Sequence, residues 1–362
     1  MKNNRILQSI ILLILILFTA FNFYGNKPNE SNTDLILHAQ KLDANTISTW
    51  FRNNGMFNTS PGFEWPKGSG KYVRHGSGIW IAARVGSDTL VSIADYGSEF
   101  LPGYTDGNGI PHGENEPFYR IYKLNLGVND SGRAHWPNIL LGNSNQGAPV
   151  YFDNSSNSWK PLDFGHQTLF HRYTDSYPQS HTLNNGSTPP LKADVMQTDF
   201  SINIQGGLDL AIISQFTIIN KSSSTWNKAF ITFWTDDDIG FSSADKVGCD
   251  TSLNLGYTYN TINNDTTYGV PPAVGFLMLR GALRFTGNNS DTVFICRNKT
   301  RVPLVGYEDL LMSVFNWIAN SNHPINGNPA SFRESYRYMS GPEKRSTDNS
   351  SLRLCNQIHV FW

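Results

Sequence analysis

Charge is scarce in this sequence. Asp, Glu, Lys and Arg make up 16% of 362 residues, and 29 acidic against 28 basic side chains leave a formal net charge of -1. Helical bundles and coiled coils need surfaces rich in Lys and Glu, and charged disordered chains need a large net charge, so both classes are excluded. A near-neutral balance, with a pI of about 6.7, offers no field for gathering phosphates, which argues against a nucleic-acid partner. Cysteine is rarer still: Cys249, Cys296 and Cys355 contain no CxxC spacing, so zinc held by thiolates is not expected. In an oxidising compartment an odd number leaves one over. A Cys249–Cys296 bridge and two small buried apolar side chains are both open readings of the others. Past residue 26 no apolar run approaches spanning length, so no membrane span is expected there. What the chain has in quantity is Gly (31), Pro (18) and aromatic residues (13%), the composition of turn-rich β structure.

The start of the chain speaks to location. Met1–Arg5 carries Lys2 and Arg5, and Ile6–Phe23 is apolar apart from Gln8, Ser9, Thr19 and Asn22, the order of an export signal. The protein is therefore expected to be secreted or to sit at the cell surface. A cleaved signal over residues 1–25 and a polar linker over 26–44 are the expected layout. A retained anchor is the alternative, because no clean small-x-small site precedes the polar stretch and roughly 18 apolar residues is near the length of a span.

The expected fold class is mainly β: β-sandwich-like domains with long Gly/Asn-rich loops and a few late helices. Gly78–Val85 alternates Ile79, Ile81, Ala83 and Val85 against Trp80, Ala82 and Arg84; Gly86-Ser87-Asp88 supplies a turn, and Thr89–Tyr96 runs back as a hairpin. Val195–Ile204, Leu210–Asn220 and Trp226–Thr235 read as a meander that buries Ile212, Phe216, Ile218, Phe230 and Phe233. Helices are expected over Glu308–Ala319 and Ala330–Met339, the first from Leu310, Leu311, Val314, Phe315 and Ile318 at helical spacing. These elements suggest an N-terminal β-rich domain over 45–190 and a sandwich-like domain over 191–341. The stretch Gly103–Pro117 is long enough to need pinning by function, an ion or packed aromatics.

Several chemistries are declined on spacing. Lys67-Gly68-Ser69-Gly70-Lys71-Tyr72 resembles a phosphate loop, but Gly62 lies one residue too far from Gly68 and Tyr72 stands where a hydroxyl for magnesium is needed. His75-Gly76-Ser77-Gly78 is better explained by structural glycine than by a nucleophile and its base. His166 and His171 are expected to be satisfied loop histidines. Glu64, Trp65, Asp95, Glu99, Glu114 and Glu116 keep open a carbohydrate-active hydrolase, since paired carboxylates are set by space rather than spacing. One segment stands apart: Asp236, Asp237, Asp238, Asp245 and Asp250 crowd together at a strand end, with only Lys246 nearby. A structural calcium ion held by Asp236 and Asp238, with Asp245 or Asp250, is one reading, in which Asp237 faces away. A solvated turn whose carboxylates cap backbone amides is the other. Asp106-Gly107-Asn108-Gly109 has a similar look with thinner chemistry.

Trp50-Phe51-Arg52-Asn53-Asn54-Gly55, Gly62–Gly70, Trp234–Gly240, Val247–Thr251, Asn254–Tyr257, Tyr259-Asn260 and Pro271–Phe276 resemble a family of large secreted proteins from Bacteroidetes and Ignavibacteria-like bacteria. The resemblance spans about residues 45–341. It implies export through the outer membrane, since many members end in a β-sandwich and a type IX secretion sorting tail, but it carries no catalytic residues. Residues 342–362 depart from the family and hold no sorting tail, as a changed reading frame would produce. The expected function is an exported extracellular or cell-envelope β protein with a structural or adhesive role. Its expected partners are surface polysaccharide or other envelope proteins, with a secreted carbohydrate-active hydrolase as the alternative.

Overall fold

Strand Gly76–Val85 organises the fold, and its sequence says why. Successive side chains alternate between two faces, and the first eight residues are all buried, so both faces must be covered. In the computed structural model, which describes residues 37–319, 323 and 326–341, this strand pairs antiparallel with Asp88–Ile93 through the two-residue turn Gly86-Ser87. Gly86 has a φ of 61°, the left-handed value that a type II′ hairpin requires at its first turn residue. Asn227–Asp236 takes the opposite edge, and Met56–Phe57, Thr49–Arg52 and Ala39–Leu42 extend the sheet.

A second antiparallel sheet runs Tyr122–Asn125, Gln167–Thr174, Ala193–Ser201, Ile212–Asn220, with Leu101–Pro102 beside Gln167–Thr174. The two sheets pack face to face. Ile79, Ile81 and Ala83 of the first meet Tyr173, Ala193 and Val195 of the second. On the other face of the first sheet, Trp80, Ala82, Val91 and Ile93 are covered by Tyr336, Tyr338 and Met339 of helix Phe332–Ser340. That helix starts with a reciprocal cap: the Ser331 hydroxyl accepts from Glu334 N at 3.4 Å, and the Glu334 carboxylate accepts from Ala330 N at 2.7 Å. The chain is thus mainly β and sandwich-like, with the late helix at its expected place. Ile212, Phe216, Ile218, Phe230 and Phe233 pack against the core clusters, although only partly buried.

Two features differ from expectation, and a third closes a choice left open. Strands from both sides of residue 190 share sheets: Gln167–Thr174 pairs with Ala193–Ser201 along its whole length, and Asn227–Asp236 joins Gly76–Val85. Alternation marks a strand but does not name its partner. The segment expected as helix 308–319 is extended instead. Tyr307–Asp309 pairs with Leu283–Phe285, and then Met312, Val314 and Asn316 are buried in alternation with exposed Leu311 and Ser313. Short apolar runs satisfy a period of 3.6 and a period of 2 almost equally, and tertiary pairing decides. Cys249 and Cys296 lie in separate sheets and are not joined by a disulfide.

The loop Gly103–Pro117 is ordered by aromatics, with Tyr104 stacked on both His112 (5.4 Å) and Tyr119 (5.9 Å). Asp106 accepts from the amides of Asn108 and Ile110 at 2.8 and 2.9 Å, which makes it a capped turn. The described residues all belong to one compact unit. No helix among them is long and apolar enough to cross a membrane. The expected signal, the linker up to residue 36, the tail 342–362 and Cys355 lie outside the described residues.

Candidate functional site

Strand Asn227–Asp236 carries the Asp-rich turn to one end of the first sheet, where Asp236 stands opposite Gly76. Trp234 and Asp236 point to the same side because they are two residues apart. Gly76 leaves room for them: a Cβ there would lie 3.3 Å from the rings of both Trp234 and Tyr96. Tyr96 stands edge-on to Trp234 with centroids 5.0 Å apart, and its hydroxyl donates to the Asp236 carboxylate. Although Tyr96 is exposed as a whole, desolvation at its hydroxyl end, then that hydrogen bond and the charge of Asp236, push the hydroxyl above its ordinary range.

The crowding of carboxylates is resolved mostly by the protein itself. Asp237 is not the outward-facing member. Its side chain is 3% exposed and ion-paired with Arg74, itself 4% exposed, at 2.5 Å, and it also accepts from the Thr258 hydroxyl at 2.9 Å. Asp245 accepts from Ile239 N and from the Asn260 amide, both at 2.9 Å. Burial outweighs these bonds and pushes its carboxyl up to about 6. Asp250 lies at the far end of strand Asp245–Asp250, five residue steps or roughly 17 Å from Asp245. There it caps the next turn, accepting from the Ser252 hydroxyl at 2.6 Å and Ser252 N at 2.9 Å, and the hydroxyl above all holds its carboxyl below the ordinary range. Asp236 and Asp238 remain at the opening. Asp238 is exposed, and burial together with the charges of Asp238 and Asp237 raises the Asp236 carboxyl. Asp236, Asp238 and Asp245 border one opening, whereas Asp250, at the far end of its strand, lies apart from them. Arg74, 163 residues away in the sequence, supplies the counter-charge of Asp237 alone.

Tyr96, Trp234, Asp236 to Asp238 and Asp245 border a cleft of about 1080 Å³ whose walls also include Asp95, Leu183 to Asn185, Lys246, Thr258 and Trp317 to Ala319. Buried carboxylates anchor the chain that follows the wall at 183–185. Glu99 accepts from Ile93 N and Ser187 N at 3.1 and 2.7 Å, and Asp175 accepts from Leu191 N and Ala193 N at 2.7 and 2.6 Å. The Asn185 amide donates to Asp95 at 3.0 Å. With Asp237 paired to Arg74, Asp95, Asp236, Asp238 and Asp245 against Lys246 make the lining acidic, and Tyr96, Trp234 and Trp317 make part of it aromatic.

Of the residues that kept a hydrolase open, Asp95 alone borders this cleft. Glu64 accepts from Gly68 N and Gly70 N at 3.0 and 2.8 Å, so the glycine-rich loop wraps its own carboxylate. Glu99 is fully buried, and Glu114 and Glu116 belong to the 103–117 loop. His166 is a satisfied loop histidine, accepting from Asn203 N at 3.1 Å. His171 instead lies in strand Gln167–Thr174, where burial holds its ring neutral, down to about 3. Gly78 is structural: a Cβ there would lie 1.9 Å from the Ala94 carbonyl oxygen.

No family model, curated protein or solved structure matches the chain. The geometry of the cleft therefore carries the functional reading.

Proposed function

We propose that this is an exported β protein of the cell envelope or extracellular space with an adhesive or structural binding role, and that the acidic, aromatic-walled cleft is its binding surface. One observation carries the reading: Asp95, Asp236 and Asp238 meet the rings of Tyr96, Trp234 and Trp317 around one opening. Ring faces pack against the apolar side of a sugar, while carboxylates and the Asn184 and Asn185 amides accept from and donate to its hydroxyls. Surface polysaccharide is accordingly the partner class. Export rests on Lys2, Arg5 and the apolar run Ile6–Phe23, and the family resemblance supports the same location.

Calcium enters this reading through Asp236 and Asp238, with backbone carbonyls of the turn completing the shell. Melting with calcium and with chelator tests it. A hundredfold excess over Kd should add about 2.7 kcal/mol, and Asp238→Asn should remove most of that gain. Equal melting temperatures leave the turn without calcium. Binding of acidic and neutral extracellular polysaccharides, read from tryptophan fluorescence, tests the cleft. Loss of the response in Tyr96→Ala is expected, and a response unchanged by that variant would move the site elsewhere.

A hydrolytic reading has one observation in its favour, the Asp245 carboxyl raised to about 6, where an acid can donate at neutral pH. Both Asp245 oxygens are engaged by the protein, which favours binding over turnover. Release of reducing ends from the bound polysaccharide, lost in Asp245→Asn, would reverse that preference.

A further inference from the structure

We propose that the protein self-associates by pairing strand Ile212–Asn220 with the same strand of a second copy. This strand ends its sheet: Ala193–Ser201 occupies one edge along its full length, and no strand among the described residues occupies the other. An antiparallel strand bonded on one side leaves alternate N–H and C=O groups facing outwards, which is a template for another strand.

Protected edges carry Lys, Pro, a bulge or very short strands. Strand Asn227–Asp236, which ends the other sheet, shows such devices: its register shifts between Asn227 and Phe230, and Lys228 sits in the shift with a φ of 46°. Strand Ile212–Asn220 shows none. Its nine residues include no charged side chain and no proline, and its register with Ala193–Ser201 is unbroken.

The pattern of the strand names the occupant. Phe216 and Ile218 pack into the core between the sheets, and the Ser214 hydroxyl donates to buried Asp199 at 2.5 Å. Ile213, Gln215, Thr217 and Ile219 therefore share the outer face, where Gln215, Thr217 and Ile219 are exposed. That face reads apolar, polar, polar, apolar from either end. Antiparallel pairing about a two-fold axis at Phe216 sets Gln215 opposite Thr217 of the second copy and Ile213 opposite its Ile219, each pair made twice. With no charge on either strand, nothing opposes this register. The contact is independent of the cleft, so its failure would leave the binding reading untouched.

Sedimentation velocity of the full chain over a concentration series tests the proposal. Wild type should shift from monomer to dimer as concentration rises. Gln215→Lys with Thr217→Lys places like charges opposite each other at both polar pairs and should weaken the dimer at least tenfold, as should Gln215→Glu with Thr217→Glu. Mixing the two variants should restore a dimer. Circular dichroism checks that each is folded; if either pair unfolds, Ile219→Lys gives the same readout from the next outer position. A wild-type chain that stays monomeric at every concentration, or an oligomer whose mass none of these variants changes, overturns the proposal.

Discussion

Replacing Arg74 with Met should cost more than any single change at the Asp-rich turn itself. The Arg74 guanidinium meets Asp237 at 2.5 and 3.3 Å, and lies 6.0 and 5.9 Å from the ring centres of Phe63 and Phe276. Without it the Asp237 carboxylate stays buried, with the Thr258 hydroxyl still donating. Breaking a buried pair by removing one member costs about 3–5 kcal/mol. With an unfolding entropy of about 2.1 cal/mol/K per residue and roughly 300 residues in the unit, the melting temperature should fall by about 5–8 °C. Asp237→Asn should also destabilise, because it removes the carboxylate that faces the buried guanidinium, while Arg74→Met with Asp237→Asn should recover part of the loss since neither charge of the pair remains buried. Urea unfolding of the wild type, both single variants and the double variant gives the coupling energy directly. A loss below about 1 kcal/mol in Arg74→Met would mean that the pair behaves as an exposed one. A loss erased by added calcium would mean that a cation, rather than Arg74, neutralises the turn.

Much of the sandwich was legible because its strands obey a local rule. The run of apolar residues from Ile79 to Ala83 with a Gly-Ser turn behind it specifies a hairpin buried on both faces, and the period of 2 in Val195–Ser201 and Ile212–Asn220 specifies strands. Partnership is not local, so the sheets that cross residue 190 could not be read from either half. Leu310, Leu311, Val314, Phe315 and Ile318 satisfy a helical period as well as an extended one, and only the pairing of Tyr307–Asp309 with Leu283–Phe285 settles the matter. At the site, carboxylate crowding drew attention to the turn that borders the cleft. The partners of Asp237 could not be read there, because Arg74 and Thr258 arrive from distant strands. Tyr96, Asn185 and Trp317 carried no spacing signal at all. Asp265, which accepts from Phe241 N at 2.8 Å and fixes the turn from outside, was equally invisible.

Gly78→Ala should abolish soluble folded protein or cost about 3 kcal/mol or more in urea unfolding, since its Cβ would lie 1.9 Å from backbone at Ala94 and overpacking against backbone has no rotamer to relax into. The Asp245 carboxyl, followed by carbon NMR, should titrate near 6, and a midpoint at an ordinary carboxylate value would show that it is solvated. Asp199 gives the clearest dependence on pH. It is fully buried and accepts from the Gln197 amide at 2.9 Å and the Ser214 hydroxyl at 2.5 Å; burial pushes its carboxyl from 3.8 up to about 7. A carboxyl raised on folding holds its proton more tightly in the native state, so its contribution to stability is complete below about pH 4. That contribution is lost as pH rises through about 7, and the difference is on the order of 4 kcal/mol. Asp199→Asn cannot ionise, so its stability should fall less than wild type between pH 4 and 8, and it should be the more stable protein at pH 8. Parallel stability curves for the two proteins would mean that Asp199 reaches solvent or finds a counter-charge on ionising, and would refute the assignment.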